Sequence, residues 1–301
     1  MNEKKWDLTN IHDQMGKVAI VTGSSSGIGF EAAKELAKKN ATVIIAVRNS
    51  DKGNNAAQKI LAENKNADIH VMMLDLADLD SVKSFSNSFK EKYKKLDLLI
   101  NNAGVMIPPY SKTKNGFELQ FGTNHLGHFA LTASLLDLLK NTKDSRIVNV
   151  ASAAHKYGNL NFDDLNWEKR KYKSWHAYGD SKISNLYFTY ELSRRLNATN
   201  SEIKVTAAHP GWTATELQRH NVFFKFMNPF FPMKQWQGAL PTLRAATDNA
   251  AKTGDYFGPN GWQEWKGFPV KVESNELSHD KNIAAKLWDI SGKMTGIKFN
   301  L

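Results

Sequence analysis

Short, continuously apolar runs alternate with helix-length stretches through the first two thirds of this 301-residue chain, and few architectures accept that pattern. Residues 17–22 read as a buried strand, and residues 27–40 follow with helical spacing at Ile28, Ala32, Leu36 and Ala37. Strand-like runs recur at 42–47, 69–74, 96–100, 146–151 and 203–208, separated by helical patterns at 51–64, 79–93, 117–139 and 175–196. Strands that are apolar throughout and joined by helices form a parallel sheet covered on both faces. The expected architecture is therefore a doubly wound α/β fold. Past His209 the alternation decays into loop and short helix at 216–236, a helical stretch at 238–249, a last short strand at 256–261 and a final helix at 279–294. No Pro/Gly/Ser-rich linker divides the chain, and a 41% hydrophobic share fills one large core, so a single domain over 1–301 is expected. Within it, 15–209 would form the cofactor-binding and catalytic core, 210–270 the substrate-side loops and 271–301 a C-terminal helix and tail.

Between the first strand and the first helix stands Thr22-Gly23-Ser24-Ser25-Ser26-Gly27-Ile28-Gly29. Glycines let a backbone turn sharply and approach a diphosphate closely, and the N–H groups of the following helix present the positive end of its dipole. Such a triplet alone also occurs in ordinary turns, but its place after a buried strand and at the opening of a helix points to dinucleotide binding. The end of the second strand, where an acidic residue would hold the ribose 2′-OH of NAD, carries Arg48 instead. A guanidinium there attracts a 2′-phosphate, which makes NADP(H) the expected cofactor in preference to NAD(H). The plainer alternative for Arg48 is a solvated surface side chain.

Tyr178 and Lys182 are four apart on an expected helix and share a face. Bringing a phenol from about 10 to about 7 takes roughly 4 kcal/mol of differential stabilisation, which a lysine together with an oxidised nicotinamide can supply. A Y-x-x-x-K spacing also arises by chance in long helices.

Taken together, the glycine loop, Asn101-Asn102-Ala103-Gly104 after the fourth strand, Asn124, Ser152, and Tyr178 with Lys182 resemble the short-chain dehydrogenase/reductase family across residues 17–215. Val47-Arg48-Asn49, the segment 155–177 and Ser181-Lys182-Ile183-Ser184-Asn185 resemble its retinol dehydrogenase-like and protochlorophyllide reductase-like branch. The resemblance implies a Rossmann fold and an NADP-dependent oxidoreductase moving a hydride between nicotinamide and a carbonyl or alcohol group. It implies that Tyr178 is general acid or base, that Lys182 tunes it and holds the nicotinamide ribose, that Ser152 bonds the substrate oxygen, and that Asn124 steadies a proton relay. Asn102, Ala103 and Gly104 would line the adenosine ribose, and Asp75 and Leu76 the adenine. Pro210, Gly211, Thr213 and Thr215 would hold the nicotinamide side, although Thr213 stands where the family usually has an aliphatic residue. A non-catalytic dinucleotide sensor on the same fold is the alternative, which need not keep Asn124, Ser152, Tyr178 and Lys182 together. A photochemical reductase would carry cysteines near the substrate, and this chain has none.

Ser152 and Tyr178 stand 26 residues apart, further than in many members, with Trp167 and Trp175 in the intervening stretch. That stretch either shapes the substrate mouth or is a surface excursion. Residues 222–236 hold five phenylalanines, two methionines and a tryptophan, with Trp212 and Leu217 before them. The leading reading is an apolar lid over an apolar small-molecule substrate, against a buried helix or a membrane contact.

Absence of cysteine excludes disulfides and thiolate metal sites and suits a cytoplasmic location. The formal charge of +10 is interspersed, and the basic clusters 90–95 and 168–173 read as solvated, so no nucleic-acid partner is expected. His125 and His128 lack a carboxylate at metal-ligand spacing, so no metal is expected. No window reaches the roughly 18 apolar residues of a transmembrane helix. A homo-oligomer is left open.

Overall fold

Every residue of β1 (Val18–Thr22) is buried, and its apolar side chains alternate between two cores: Ala19 and Val21 join one, Val18 and Ile20 the other. That alternation places β1 in the middle of a sheet covered on both faces. The structure, a computed structural model, describes residues 5–213 and 233–301. From β1 the chain passes through α1 (Gly27–Lys38), β2 (Thr42–Val47), α2 (Ser50–Glu63), β3 (Ile69–Met73), α3 (Leu79–Lys92) and β4 (Leu98–Asn101). A short α4 (Leu119–Phe121) widens into a π-helical turn, Gly122–Leu126, that continues as α5 (Gly127–Lys140). Then come β5 (Arg146–Val150), α6 (Ser174–Ala198), β6 (Lys204–Ala208), α7 (Gln235–Thr247), β7 (Tyr256–Pro259), β8 (Pro269–Lys271) and α8 (Lys281–Thr295).

The described strands run β3-β2-β1-β4-β5-β6-β7-β8, parallel except for β8, which pairs antiparallel with β7. Strand order reverses between β1 and β4, which opens a crevice at their carboxyl ends where doubly wound sheets take ligands. Side chains of α1, α2 and α7 fill the core on one face, while α3, α5 and α6 fill that on the other, with Trp288 of α8 added.

The expected α/β architecture is the observed one, with local differences. The helix expected at 117–139 is interrupted by the π turn, which places Asn124 on a widened stretch of backbone. β8 has only three residues and begins with proline, too little for a periodicity to register. Trp6 and Ile11, isolated in a polar leader, are buried in the β1 core.

Gly127 fixes how closely α5 approaches the carboxyl end of β3, because a Cβ there would overlap the Leu76 carbonyl oxygen. Alanine is the better helix former by about 1 kcal/mol, but this overlap is with backbone, which cannot swing aside. Gly127→Ala is expected to lower stability by about 1–3 kcal/mol, as overpacking does, in a denaturant titration. A stabilised variant would contradict the close approach.

Candidate active site

A cavity of about 480 Å³ lies at the carboxyl ends of the central strands. Gly23, Ser25, Ser26, Gly27, Ile28 and Gly29 line it from the first turn; Arg48 from the end of β2; Asp75 and Leu76 after β3; and Asn102, Ala103 and Gly104 after β4. Tyr178, Lys182 and Pro210 line it as well. Thus residues drawn from six separate parts of the sequence meet on one surface.

Several candidates lie elsewhere. Ser24 is buried, and its hydroxyl donates to the Val21 carbonyl at 2.7 Å, so its side chain braces the turn from behind instead of lining the cavity. Asn124, Ser152, Gly211 and Thr213 are not among the residues that line the cavity. Thr213 Oγ1 donates to Pro210 O at 2.9 Å, so the hydroxyl at this unusual position closes the turn after β6. Thr215 and residues 222–232 of the aromatic segment lie outside the described residues.

The first turn is built to come close to the turn after β4. Gly23 has φ +66°, and a Cβ on it would stand 2.8 Å from Ala103 Cα. Thr22 Oγ1 accepts from the backbone N–H groups of Asn102 and Ala103, both at 2.9 Å, and Asn102 Nδ2 donates back to Thr22 O at 2.8 Å. The α1 N-terminus opens directly on the cavity, where its unsatisfied N–H groups suit a diphosphate. Arg48 is joined there by Lys52, a cation the sequence reading missed. Its signal was local: Asn49 Oδ1 caps α2 by accepting from Lys52 N at 2.9 Å, which puts Lys52 in the first turn, beside the Arg48 end of β2. A glycine cradle, a helix N-terminus and two exposed cations on one cavity fit a phosphorylated dinucleotide.

At the other end, Tyr178 and Lys182 project from one face of α6. Lys182 Nζ donates to Val150 O at 3.0 Å and stands 5.7 Å from the Tyr178 ring centre. Burial pushes the Lys182 ammonium down to about 8 and the Tyr178 phenol up to about 12, the latter partly offset by a hydrogen bond with Ser152. In the protein alone desolvation therefore dominates at the phenol; the expected lowering also called on an oxidised nicotinamide, which these groups do not include.

Ser152 Oγ also accepts from Ala154 N at 3.2 Å, so it caps a 3₁₀ turn, Ala153–Tyr157, while facing the tyrosine. The Ser152 carbonyl takes the Nδ1 proton of His155 at 2.7 Å, and His155 Nε2 accepts from Asn275 N at 3.2 Å, so that buried imidazole steadies the serine. Asn124 clasps Val105: its Oδ1 accepts from Val105 N at 2.8 Å and its Nδ2 donates to Val105 O at 3.0 Å. The same Nδ2 donates to Ser181 Oγ at 2.9 Å, one residue before Lys182. A Cβ on Gly104 would lie 3.1 Å from Asn124 Oδ1 and 3.7 Å from Lys182 Nζ, so the two side chains reach the same spot behind the wall.

Val105, Met106, Pro108 and Leu119 give the cavity an apolar flank. Gln120 holds that flank by accepting from Ile107 N at 2.8 Å, and Ile107 sits at φ +55°, a strained position for a β-branched residue. The long stretch before α6 is anchored: Trp167 is buried, the Arg170 guanidinium lies 3.5 Å from its ring centre, and Arg170 approaches Asp164 at 3.4 Å and Asp180 at 3.6 Å. Trp175, in the first turn of α6, stands beside Tyr178 with ring centres 6.3 Å apart. Among the described residues no side-chain cluster suits a metal ion, and no helix is long and apolar enough to cross a membrane.

Comparison with known proteins places this geometry. The model of the short chain dehydrogenase family matches residues 17–222. Retinol dehydrogenase 12 of Mus musculus is 42% identical over 290 residues, covering 94% of this chain and 88% of that protein. Retinol dehydrogenase 11 of Homo sapiens is 41% identical over 287 residues, with 94% and 86% covered. The crystal structure of an uncharacterized protein from Mycobacterium paratuberculosis superposes with a TM-score of 0.84 at 39% identity, covering 99% of this chain and all of that one. The Pseudomonas aeruginosa RhlG/NADP complex shares the fold, with a TM-score of 0.65 at 22% identity and 81% and 94% covered. The chain belongs to the short chain dehydrogenase family of oxidoreductases, in its retinol dehydrogenase-like branch.

Proposed function

We propose that this protein is an NADP-dependent oxidoreductase that interconverts an apolar alcohol and its aldehyde or ketone. The observation that carries the reading is the single cavity joining Arg48 and Lys52 at one end to Tyr178 and Lys182 at the other, with the glycine turn between. Bound nicotinamide would supply or accept the hydride. Tyr178 donates the proton to the carbonyl oxygen during reduction and takes it from the alcohol during oxidation, with Ser152 Oγ holding that oxygen beside the phenol. Lys182, fixed on Val150 O, holds the nicotinamide ribose and adds positive charge behind the phenol. Asn124 and Ser181 set where Lys182 sits.

NADP(H) over NAD(H) rests on the two cations at the end of β2 and the start of α2. A charge-assisted hydrogen bond is worth about 1.5–3 kcal/mol, so Arg48→Ala is expected to weaken NADPH binding by about ten- to a hundredfold, with a smaller loss for Lys52→Ala. NADH binding should change little. Calorimetric titration of both cofactors decides the matter, and equal losses for the two would remove the 2′-phosphate from the argument.

Tyr178→Phe keeps the ring and its packing and removes only the exchangeable proton. Turnover is expected to fall by at least 10²–10⁴, the usual span for general acid catalysis, while NADPH affinity holds. A variant keeping a tenth of the activity would mean another group moves the proton. This experiment also separates the enzyme from a dinucleotide sensor, which would show binding without turnover in the parent protein.

The apolar substrate rests on the Val105, Met106, Pro108 and Leu119 flank, on Trp175 beside Tyr178, and on relatives whose names specify retinol. Each methylene buried contributes about 0.8 kcal/mol, so kcat/KM along a series of straight-chain aldehydes should climb about fourfold per added carbon until the site is filled. A flat series would argue for a polar substrate.

A further inference from the structure

His128 lies on α5, 2% exposed, between the two ends of the site, and both of its ring nitrogens are engaged. Nδ1 stands 2.9 Å from the carbonyl oxygen of Asn124, and Nε2 stands 2.9 Å from Thr22 Oγ1. A carbonyl can only accept, so Nδ1 carries the proton, and in a neutral ring Nε2 must then accept. Thr22 Oγ1 is therefore the donor to His128. The Ile100 carbonyl is its other acceptor within range, at the longer distance of 3.3 Å. Spending the Thr22 proton on His128 leaves the hydroxyl's lone pairs for the N–H groups of Asn102 and Ala103. Every donor and acceptor in this chain has a counterpart, and all point the same way: from the turn under the cofactor through Thr22 and His128 to Asn124. From Asn124 Nδ2 the chain continues through Ser181 Oγ to the Tyr178 carbonyl at 2.8 Å.

We infer that His128 is a positioning residue, a neutral bridge that ties the seating of the cofactor turn on Thr22 to the π-helical backbone carrying Asn124, and through Asn124 to Lys182 and Tyr178. The inference rests on the proposed dinucleotide chemistry for its functional consequence, but not for the bridge itself. Its charge state agrees with the geometry: burial holds the imidazole down at about 4, the hydrogen bond to Asn124 O works against that, and the Lys182 charge adds to it. The neighbouring His125, also buried and held down to about 3, instead contacts Ser291 Oγ at 2.8 Å from Nε2 and has no part in the bridge.

The test has two arms. In the first, nitrogen-15 NMR of the histidine rings reads the tautomer in the parent protein, assigned by correlating the His128 ring with its own backbone. A neutral ring protonated at Nδ1 is expected throughout pH 6–9, with and without NADP⁺; a ring protonated at Nε2, or one titrating near 6.5, would overturn the bridge. In the second arm, NADPH affinity and single-turnover rates are measured for His128→Phe, His128→Gln, Thr22→Val and the Thr22→Val/His128→Phe pair. One net hydrogen bond corresponds to about three- to tenfold, so His128→Phe should weaken NADPH binding and slow turnover by about that factor each. His128→Gln, which keeps a donor and an acceptor, should recover part of both. The double variant should lose less than the product of the single losses. Losses that multiply, or a Phe variant that binds and turns over like the parent, would overturn the inference. Failure of the parent protein to bind NADPH would sink the functional reading while leaving the first arm to decide the bridge. If the variants do not fold, the tautomer measurement still decides it.

Discussion

Parallel pairing of β1 with β4 and of β4 with β5 is the constraint on which the site depends. Val21 lies opposite Ile100, and Asn101 opposite Asn149, so the three strands end together. Thr22, Asn102 and Val150, far apart in sequence, are thereby delivered to one edge of the sheet, where Asn102 and Val150 line the crevice and Thr22 lies buried beneath it. Below that edge the sheet is tied to both flanking helices by buried amides. Asn101 Nδ2 donates to Thr132 Oγ1 on α5 at 3.0 Å and to Asn149 Oδ1 at 2.8 Å, and Asn149 Nδ2 donates to Thr189 Oγ1 on α6 at 3.0 Å. A one-residue slip between these strands would turn every such group to the opposite face.

The electrostatics of the tyrosine end follow from burial. A phenol held up at about 12 and an ammonium held down at about 8 are both biased toward their neutral forms. The protein groups by themselves do not favour a phenolate. Moving Tyr178 toward neutral pH therefore needs phenolate stabilisation beyond what the polypeptide supplies, at about 1.4 kcal/mol per unit. A positively charged nicotinamide in the same low-dielectric space is well suited to contribute to that, because Coulomb interactions strengthen as water is excluded. The same burial keeps the Tyr178 phenol protonated near neutral pH without cofactor, while the lowered Lys182 stands closer to exchange.

Much of the fold is legible in sequence because its central strands are covered on both faces, which leaves no polar residue to interrupt Val43 to Val47 or Val18 to Val21. Tyr178 and Lys182 are legible because a helix turns an interval of four into contact along one face. What could not be read depends on contacts between distant segments or on single residues without a period. His128 looks like a surface or core histidine until Thr22 is placed opposite it, and Lys52 like one more helical lysine until α2 is docked against the cavity. Trp6 and Ile11 carry no pattern that distinguishes them from a polar leader. The rise of the Tyr178 phenol in the protein alone is not legible for a related reason: the i, i+4 spacing announces the lysine but says nothing of the depth at which both side chains are buried.

The most direct test of this account is the ionisation of Tyr178 with and without oxidised cofactor, followed by the ultraviolet absorbance of tyrosinate as pH is raised and compared with the Tyr178→Phe variant. The account expects no tyrosinate assignable to Tyr178 below about pH 10 in the protein alone, and one ionising several units lower once NADP⁺ is bound, since a fixed positive charge in a buried site shifts a neighbouring phenol that far. A Tyr178 that ionises at the same pH in both states would show that cofactor and tyrosine do not share a site, and would contradict the account.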